Sequence, residues 1–467
     1  MLLLSREQKI LIRYNMKRVW LFTLCFVAFF QLNGTAQEGA LDKYIHEALQ
    51  SNLAIKQRHV SLENAMYALK KAKYNYIPTV NFEGIYTTAE GGRSYEIPVG
   101  DYLNPLLETV NQFLPGTVSP LENERINFLP KNYYDAKIRV AVPILNMNII
   151  HNNRINARQL AISENEVEIY ARELVKEVKT TYYNYLSVKE AIAVHQSAIE
   201  LAEESKRIND KLVENGTGLY AYVLRSETEI EQAKSRKRSA ELQLNSIQYY
   251  FNALLNRDVN SEIIADKVQI ESRLWDKSDM TASNREELNS LDQAITLRED
   301  VVRMNKQALV PTLSGFADFG SQAEQMKFNE ESLYYMVGLQ LNIPIFNGLK
   351  NNLDVKRAKN EIEIAKLQRA DVEQKLNVSV NAAYNEVLTE FTNYEAAIKQ
   401  LEMAETYYRL ISKGYDSGVN TYIETVDART QLTMAKLASN VSYYQYLSAM
   451  AKLERETAKY PLPTFEK

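Results

Sequence analysis

The chain is written twice, and that constrains its fold more than any other feature, because whatever one half builds the other must build again. Ile77-Pro78-Thr79-Val80 returns as Val310-Pro311-Thr312-Leu313. The run from Val140 to Asn146 (Val-Ala-Val-Pro-Ile-Leu-Asn) returns 201 positions later as Leu341 to Asn347. Tyr183-Asn184 matches Tyr384-Asn385 at the same offset, while Gly216 and Ala233-Lys234 match Gly418 and Ala435-Lys436 at an offset of 202. Each half reads helix, strand, strand, long helix, turn, helix.

The second strand of each half carries the clearest pattern. Tyr134, Ala136, Ile138, Val140, Val142 and Ile144 alternate with Asp135, Lys137 and Arg139. Tyr335, Val337, Leu339, Leu341, Ile343 and Ile345 alternate with Met336, Gly338, Gln340 and Asn342. Alternation sustained over eleven residues suits a tilted membrane-crossing strand of roughly 9–11 residues, whereas ordinary strands run to about 5–6. Each first strand starts at a Pro-Thr, a position that tolerates proline. Between the strands of the first half, residues 97–131 hold five prolines and read as a surface loop. The equivalent loop near Gln322 to Ser332 is much shorter.

The long helices set the second constraint. Met147 to Val213 is 67 residues without Pro or Gly, and Leu349 to Lys413 is 65. At about 1.5 Å per residue each reaches roughly 100 Å, far beyond a globular helix. Heptad stripes run along both: Ala171, Val178, Tyr185, Ile192 and Ile199 with Leu174, Val188 and Ala202 beside them, then Val380, Val387, Tyr394, Leu401 and Tyr408 with Tyr384, Phe391 and Ile398. Such stripes mean helices packed side by side. Gly-containing turns at 214–222 and 414–422 end the long helices, and a second helix returns from each.

Residues 1–36 read as an export signal: a basic start at Met16-Lys17-Arg18, an apolar run from Val19 to Phe30, and small residues before Gln37. Met16 offers an internal start. The division that follows is a first repeat over 37–255 (strands 78–90 and 133–145, long helix 147–213), a polar linker over 256–286, a second repeat over 287–456 (strands 311–321 and 333–346, long helix 349–413), and a tail over 457–467. The only cysteine, Cys25, lies in the apolar run, so the mature chain has no disulfide framework and no thiolate metal site. A net charge of −4 with 24% charged residues gives no electrostatic case for nucleic acid. His46, His59, His151 and His195 show no ligand spacing, and neither a phosphate loop nor a nucleophile elbow occurs. Neither a cofactor nor a catalytic group is expected. Paired carboxylates such as Glu203-Glu204 and Glu286-Glu287 read as solvated helix faces.

Beyond the signal, no apolar stretch is long enough for a membrane helix, so a membrane-crossing role falls to the strands. Four strands cannot close a barrel, and open edges cannot face lipid. The smallest closed membrane barrels have about eight strands. The chain must therefore oligomerise, and three copies supply twelve strands. In this reading Val140, Val142, Leu339, Leu341 and Ile343 face outer-membrane lipid.

The duplicated order, the long helices, the Pro-Thr strand starts and the Gly turns together resemble the TolC-like outer-membrane efflux and secretion channels. The most specific piece is Tyr415-x-x-Gly418-x-x-Thr421-x-x-Glu424-x-x-Asp427-Ala428. The resemblance covers residues 38 to about 456. It implies a mostly α protein with β structure: a homotrimer whose 12-stranded outer-membrane β-barrel continues into a long periplasmic α-helical barrel, with a belt near Asn256 to Glu286. It also implies a periplasmic adaptor and an inner-membrane transporter as partners, and a passive exit duct for efflux or type I secretion.

Candidate site residues follow. Gly216, Thr217, Gly218, Leu219, Gly418, Val419 and Asn420 form the turns, expected as adaptor-contacting tips, with tight connections needing positive φ as the alternative. Glu424 and Asp427, three apart on one helix face, would form carboxylate rings at the entrance, with Tyr415 one turn before Gly418 as a constriction residue. The alternative is two solvated acids favoured by a helix N-terminus. Tyr222 and Asn420 stand where the family often carries charged residues, which puts a charged latch between neighbouring tips in doubt. A soluble periplasmic coiled-coil adaptor or scaffold is the rival from another class. It accounts for the heptads and the export signal but not for the duplicated alternating strands.

Overall fold

A computed structural model describes residues 39–113, 116, 118–129, 131–266 and 281–463. The proposed export signal and residues 267–280 of the linker lie outside the described residues. In chain order the elements are α1 (Ala40–Ser51), α2 (Leu53–Tyr74), β1 (Thr79–Thr87), β2 (Ser94–Ile97), α3 (Val99–Asn111), β3 (Glu124–Asn127), β4 (Tyr133–Leu145), α4 (Met147–Glu214), α5 (Tyr220–Leu254), α6 (Glu286–Lys306), β5 (Thr312–Glu324), β6 (Leu333–Asn342), α7 (Lys350–Asp416) and α8 (Tyr422–Glu456). They fall into two compact units, one of residues 60–165 and 289–371, the other of the described parts of 1–59, 166–288 and 372–467.

The first unit holds an antiparallel sheet in the order β1-β4-β5-β6. The two halves therefore meet at β4 and β5, the most extensive pairing in the sheet, from Tyr133–Glu324 to Leu145–Leu313. Pro143 stays inside β4 because a register shift between Pro143 and Leu145 takes up its missing donor. In the second half, β6 stops at Asn342, short of the expected 346. Ile343 to Asn347 lie outside any strand, and Pro344 has no N–H with which to continue a ladder. β5 runs three residues past its expected end, to Glu324.

The expectation of a loop over residues 97–131 is corrected. The segment 97–131 is not a structureless loop: it contains α3, and β2 pairs with β3 from Ser94–Asn127 to Ile97–Glu124. Pro98 sits at the N-cap of α3, where a proline costs no helical hydrogen bond. Pro105 lies inside the exposed helix.

The second unit is helical. Its core joins Tyr44, Ile45, Leu174, Val178, Tyr182, Phe251 and Leu255, all buried. Burial of each such side chain stabilises the fold by about 1.5–3 kcal/mol. The first heptad stripe supplies Ala171, Leu174, Val178 and Tyr185 to this core, and the second brings Val387, with Tyr384 and Phe391, against Tyr446 and Leu453. Asn52 opens α2 by accepting from the N–H groups of Ala54 (2.9 Å) and Ile55 (3.2 Å), and its amide donates to the Leu254 carbonyl.

The start of α6 is also buried. Glu286 takes the Arg172 guanidinium at 2.6 Å, and Glu287 accepts from both Arg285 and Arg455. The expectation that Glu286 and Glu287 form a solvated face is thus wrong. Charge pairing across α4, α6 and α8 makes their burial tolerable.

Candidate functional site

Two regions carry the sequence-derived candidates, and each is built within one unit. In the sheet, the pairing register sorts side chains onto two faces. Val80, Val140, Ala317 and Val337 lie in one row across all four strands, and Phe82, Ile138, Phe319 and Tyr335 in the next. Val142 and Leu339 flank Gly315 in a third row, and Leu341 pairs with Leu313. On this apolar face Phe82, Phe319, Tyr335 and Val337 are 63–81% exposed, and Leu339 and Leu341 are 70% and 59% exposed. Ile343, beyond the end of β6, is exposed, Val140 is marginally so, and Val142 is half-buried. Tyr86 and Tyr335 are exposed towards the end that carries the β1–β4 connection, where Tyr134 is buried with the Phe328 ring 4.6 Å from its own. An apolar band ending in aromatics is the pattern of a strand surface that meets lipid.

The opposite face is charged. Glu83, Lys137 and Tyr334 share one row, and Asn81, Arg139 and Asp318 share another. Arg139 donates to Asp318 through Nε (2.7 Å) and Nη2 (2.6 Å), and its guanidinium lies 5.3 Å from the centre of the Phe316 ring. Glu83 lies 3.6 Å from Arg139 and 3.9 Å from Lys137. Asp135 accepts from Lys137 (2.9 Å) and from the Tyr334 hydroxyl (2.7 Å), so ion pairs join β1, β4 and β5 on this side and a hydrogen bond adds β6.

The second region is the pair of hairpins between the helices. Gly216 and Gly418 have φ of +73° and +77°, the left-handed values that end a helix with little cost only for glycine. The returning bonds match in kind. Thr217 and Gly218 donate to the Leu212 carbonyl, and Val419 and Asn420 donate to that of Gly414. Leu219 (60%) and Val419 (80%) are exposed, as are Gly216, Thr217 and Gly418, while Gly218 and Asn420 are half-buried.

Glu424 and Asp427 are both exposed on α8, whose other side buries Tyr422, Val426 and Arg429. Glu424 closes a capping box. It accepts from the Thr421 N–H at 2.6 Å and from the Asn420 amide at 3.3 Å, while its own N–H reaches the Thr421 hydroxyl. The Thr421 backbone donor, with Asn420 behind it, holds the Glu424 carboxyl below the usual carboxylate range. Asp427 accepts from Gln431 at 2.7 Å.

Tyr415 turns the other way. It is half-buried with its ring 6.4 Å from Tyr422, which in turn sits 4.8 Å from Tyr222. The Tyr422 hydroxyl is 2.7 Å from Ser226, which accepts from Asn209 at 3.1 Å. An aromatic and hydroxyl cluster thus occupies the place where charged partners were in doubt. It joins α4, α5, α7 and α8 within one chain.

Two groups at these sites escaped sequence reasoning. The buried Arg429 binds Glu229 and the Leu201 carbonyl beside a cleft of about 110 Å³ that His195 and Arg236 also line. Asp318 was passed over because a single acid in a Gly- and Phe-rich strand gives no alternation. Its neighbour across the pairing, Arg139, was the available signal. Among the described residues no group of His, Cys, Asp or Glu is placed to hold a metal ion, and no helix is long and apolar enough to cross a membrane.

Comparison with known proteins places this geometry. The model of a family described as outer membrane efflux protein matches residues 44–257 and 278–458. The alkaline protease secretion protein AprF of Pseudomonas aeruginosa is 21% identical over 334 residues, covering 68% of each chain. The outer membrane protein TolC of Escherichia coli is 21% identical over 346 residues, covering 69% of this chain and 68% of its own. The Campylobacter jejuni CmeC outer membrane channel superimposes with a TM-score of 0.72 at 17% identity, covering 90% of this chain and 85% of that one.

Proposed function

From the premise that the chain belongs to the outer membrane efflux protein family, and is accordingly an outer-membrane channel subunit with a large periplasmic part, we propose how its parts serve conduction. Three copies close a twelve-stranded barrel. The apolar face carrying Val140, Val142, Leu339 and Leu341, with Ile343 just past the end of β6, meets lipid, and the face carrying Arg139 and Asp318 meets the water-filled interior. The single observation that carries this reading is a four-stranded sheet whose β1 and β6 edges are unpaired among the described residues and whose exposed face is apolar. Such a sheet is insoluble in lipid alone and aggregation-prone in water, and closure by further copies removes both problems.

The helices α4, α5, α7 and α8 supply the periplasmic wall of the duct. The turns at Gly216–Leu219 and Gly418–Asn420 face a periplasmic adaptor, which joins the duct to an inner-membrane transporter. Glu424 and Asp427 ring the entrance, with Tyr415 packed behind them. Conduction is passive, with no catalytic step, and the transporter selects the cargo, whether a small molecule or a secreted protein. Membrane fractionation followed by planar-bilayer recording tests the role. The protein should require detergent to leave the outer membrane and should then give discrete conductance steps. Recovery in the periplasmic wash, without conductance, would identify a soluble scaffold instead.

A further inference from the structure

The segment between β1 and β4 is a small structure of its own. Asn104 of α3 exchanges bonds with the Leu121 backbone (3.0 and 2.7 Å), and Asn111, two turns on, does the same with Val118 (3.0 and 2.8 Å). The Asp101 N–H adds a bond to Asn123 at 3.2 Å. These contacts fix which way the helix faces. The side turned away from its anchor carries Tyr102 and Leu106, followed just past the helix end by Phe113, which are 78%, 66% and 82% exposed, flanked by the exposed Leu103 and Val110. A helix with its apolar face turned outward from its own scaffold has a partner elsewhere.

A matching patch sits at the far edge of the same sheet. β1 and β6 are its two edges, and the pairings Thr87–Tyr133, Tyr133–Glu324 and Ser321–Leu333 put the end of β1 and the start of β6 at one end. Just before β6 the turn presents Met326 and Phe328, and β6 opens with Leu333, each more than half exposed. When copies close a barrel, β1 of one lies along β6 of the next, so α3 of one copy and the 326–333 turn of its neighbour arrive at one seam. We propose that the apolar face of α3 docks on Met326, Phe328 and Leu333 of the adjacent copy, clasping the outer end of each protomer boundary. The inference rests on the trimeric reading above.

Lipid is a poorer occupant. Helices that lie on membranes carry Lys and Arg on the polar face, whereas α3 has only Asp101 and Glu108 as charged groups. The flanking Glu90, Glu96, Glu122 and Glu124 outnumber Arg93, Arg125 and Lys131.

Because Cys25 is the only cysteine, a Cys25→Ser chain gives a clean background for cross-linking. In outer membranes treated with a short bismaleimide, the chain carrying both Leu106→Cys and Phe328→Cys should run largely as covalent dimers and trimers. Either single substitution should leave it monomeric on denaturing gels. A Tyr102→Ser/Leu106→Ser/Phe113→Ser chain should keep its helix content by circular dichroism but dissociate at a lower temperature. Monomer bands from the double variant, with native mass still showing three chains, would overturn the clasp and leave the trimer standing. Labelling of the thiol at position 106 by a photoactivatable phospholipid would assign the face to lipid and also overturn it. Failure of the unsubstituted protein to form trimers would remove the underlying reading instead.

Discussion

Arg139 and Asp318 bond across the line where the two halves of the chain meet, guanidinium to carboxylate at 2.7 and 2.6 Å, with no part of the Asp318 side chain exposed. Bidentate pairing of this kind fixes geometry as well as charge. Removing Asp318 leaves Arg139 with only the longer contact to Glu83, at 3.6 Å, on the face assigned to the channel interior. Asp318→Ala should therefore sharply reduce the assembled fraction recovered from outer membranes, as measured by the oligomer band on unheated gels. Exchanging the charges, Arg139→Asp with Asp318→Arg, should restore part of that fraction.

The two faces of β6 should respond differently to charge. A charge near the bilayer midplane on the lipid side costs about 2–4 kcal/mol. Leu339→Arg, in the body of β6, is therefore expected to impair assembly far more than Gln340→Arg, one residue along and on the other face. The same gel assay checks both, and equal damage would mean that the faces are misassigned.

Acid stability should report the buried cluster at the start of α6. Burial alone would raise the Glu287 pKa, but hydrogen bonds from Arg285 and Arg455 outweigh it and bring it from 4.5 to about 2. A lowered folded-state pKa contributes stability above pH 4.5 that is lost as pH falls towards 2, roughly 3 kcal/mol in all. Glu287→Gln should lower stability near neutral pH and flatten its decline between those limits, read from denaturant midpoints at several pH values.

Entrance chemistry separates the two acids in the first turns of α8, Glu424 and Asp427. Replacing Glu424 by Gln keeps an acceptor for the capping box, while Asp427→Asn removes charge from a group bonded only along its own helix, to Gln431. If both carboxylates ring the entrance, the Glu424→Gln/Asp427→Asn channel should lose much of its cation preference and its block by multivalent cations. Unchanged selectivity in planar bilayers, with the oligomer intact, would reduce Glu424 to a helix cap.

What could be read from sequence was periodic. The alternation at 134–144 and the Gly- and Pro-free helices depend on patterns repeated over many residues, and the duplication showed each pattern twice. What could not be read was short or non-local. In α3, the spacing of Val99, Tyr102, Leu103, Leu106 and Val110 was a helical signal, but it was obscured by Pro98 and Pro105, which read as loop punctuation. The burial of Glu286 and Glu287 depends on Arg172 and Arg455, more than a hundred positions away along the chain, and no local pattern announces such a pairing. The same holds for the Tyr222–Tyr422 contact in place of a charged latch. The turns at Gly216 and Gly418 were visible because positive φ demands a particular residue, and Thr421-x-x-Glu424 carried the spacing of a capping box that the structure shows formed.

The central claim is that four strands per chain are one third of a closed barrel. Native mass measurement of the detergent-extracted protein tests it most directly. Three chains per particle are expected, since twelve strands close without a free edge. A stable single chain in the membrane extract would leave the β1 and β6 edges unpaired and contradict the account.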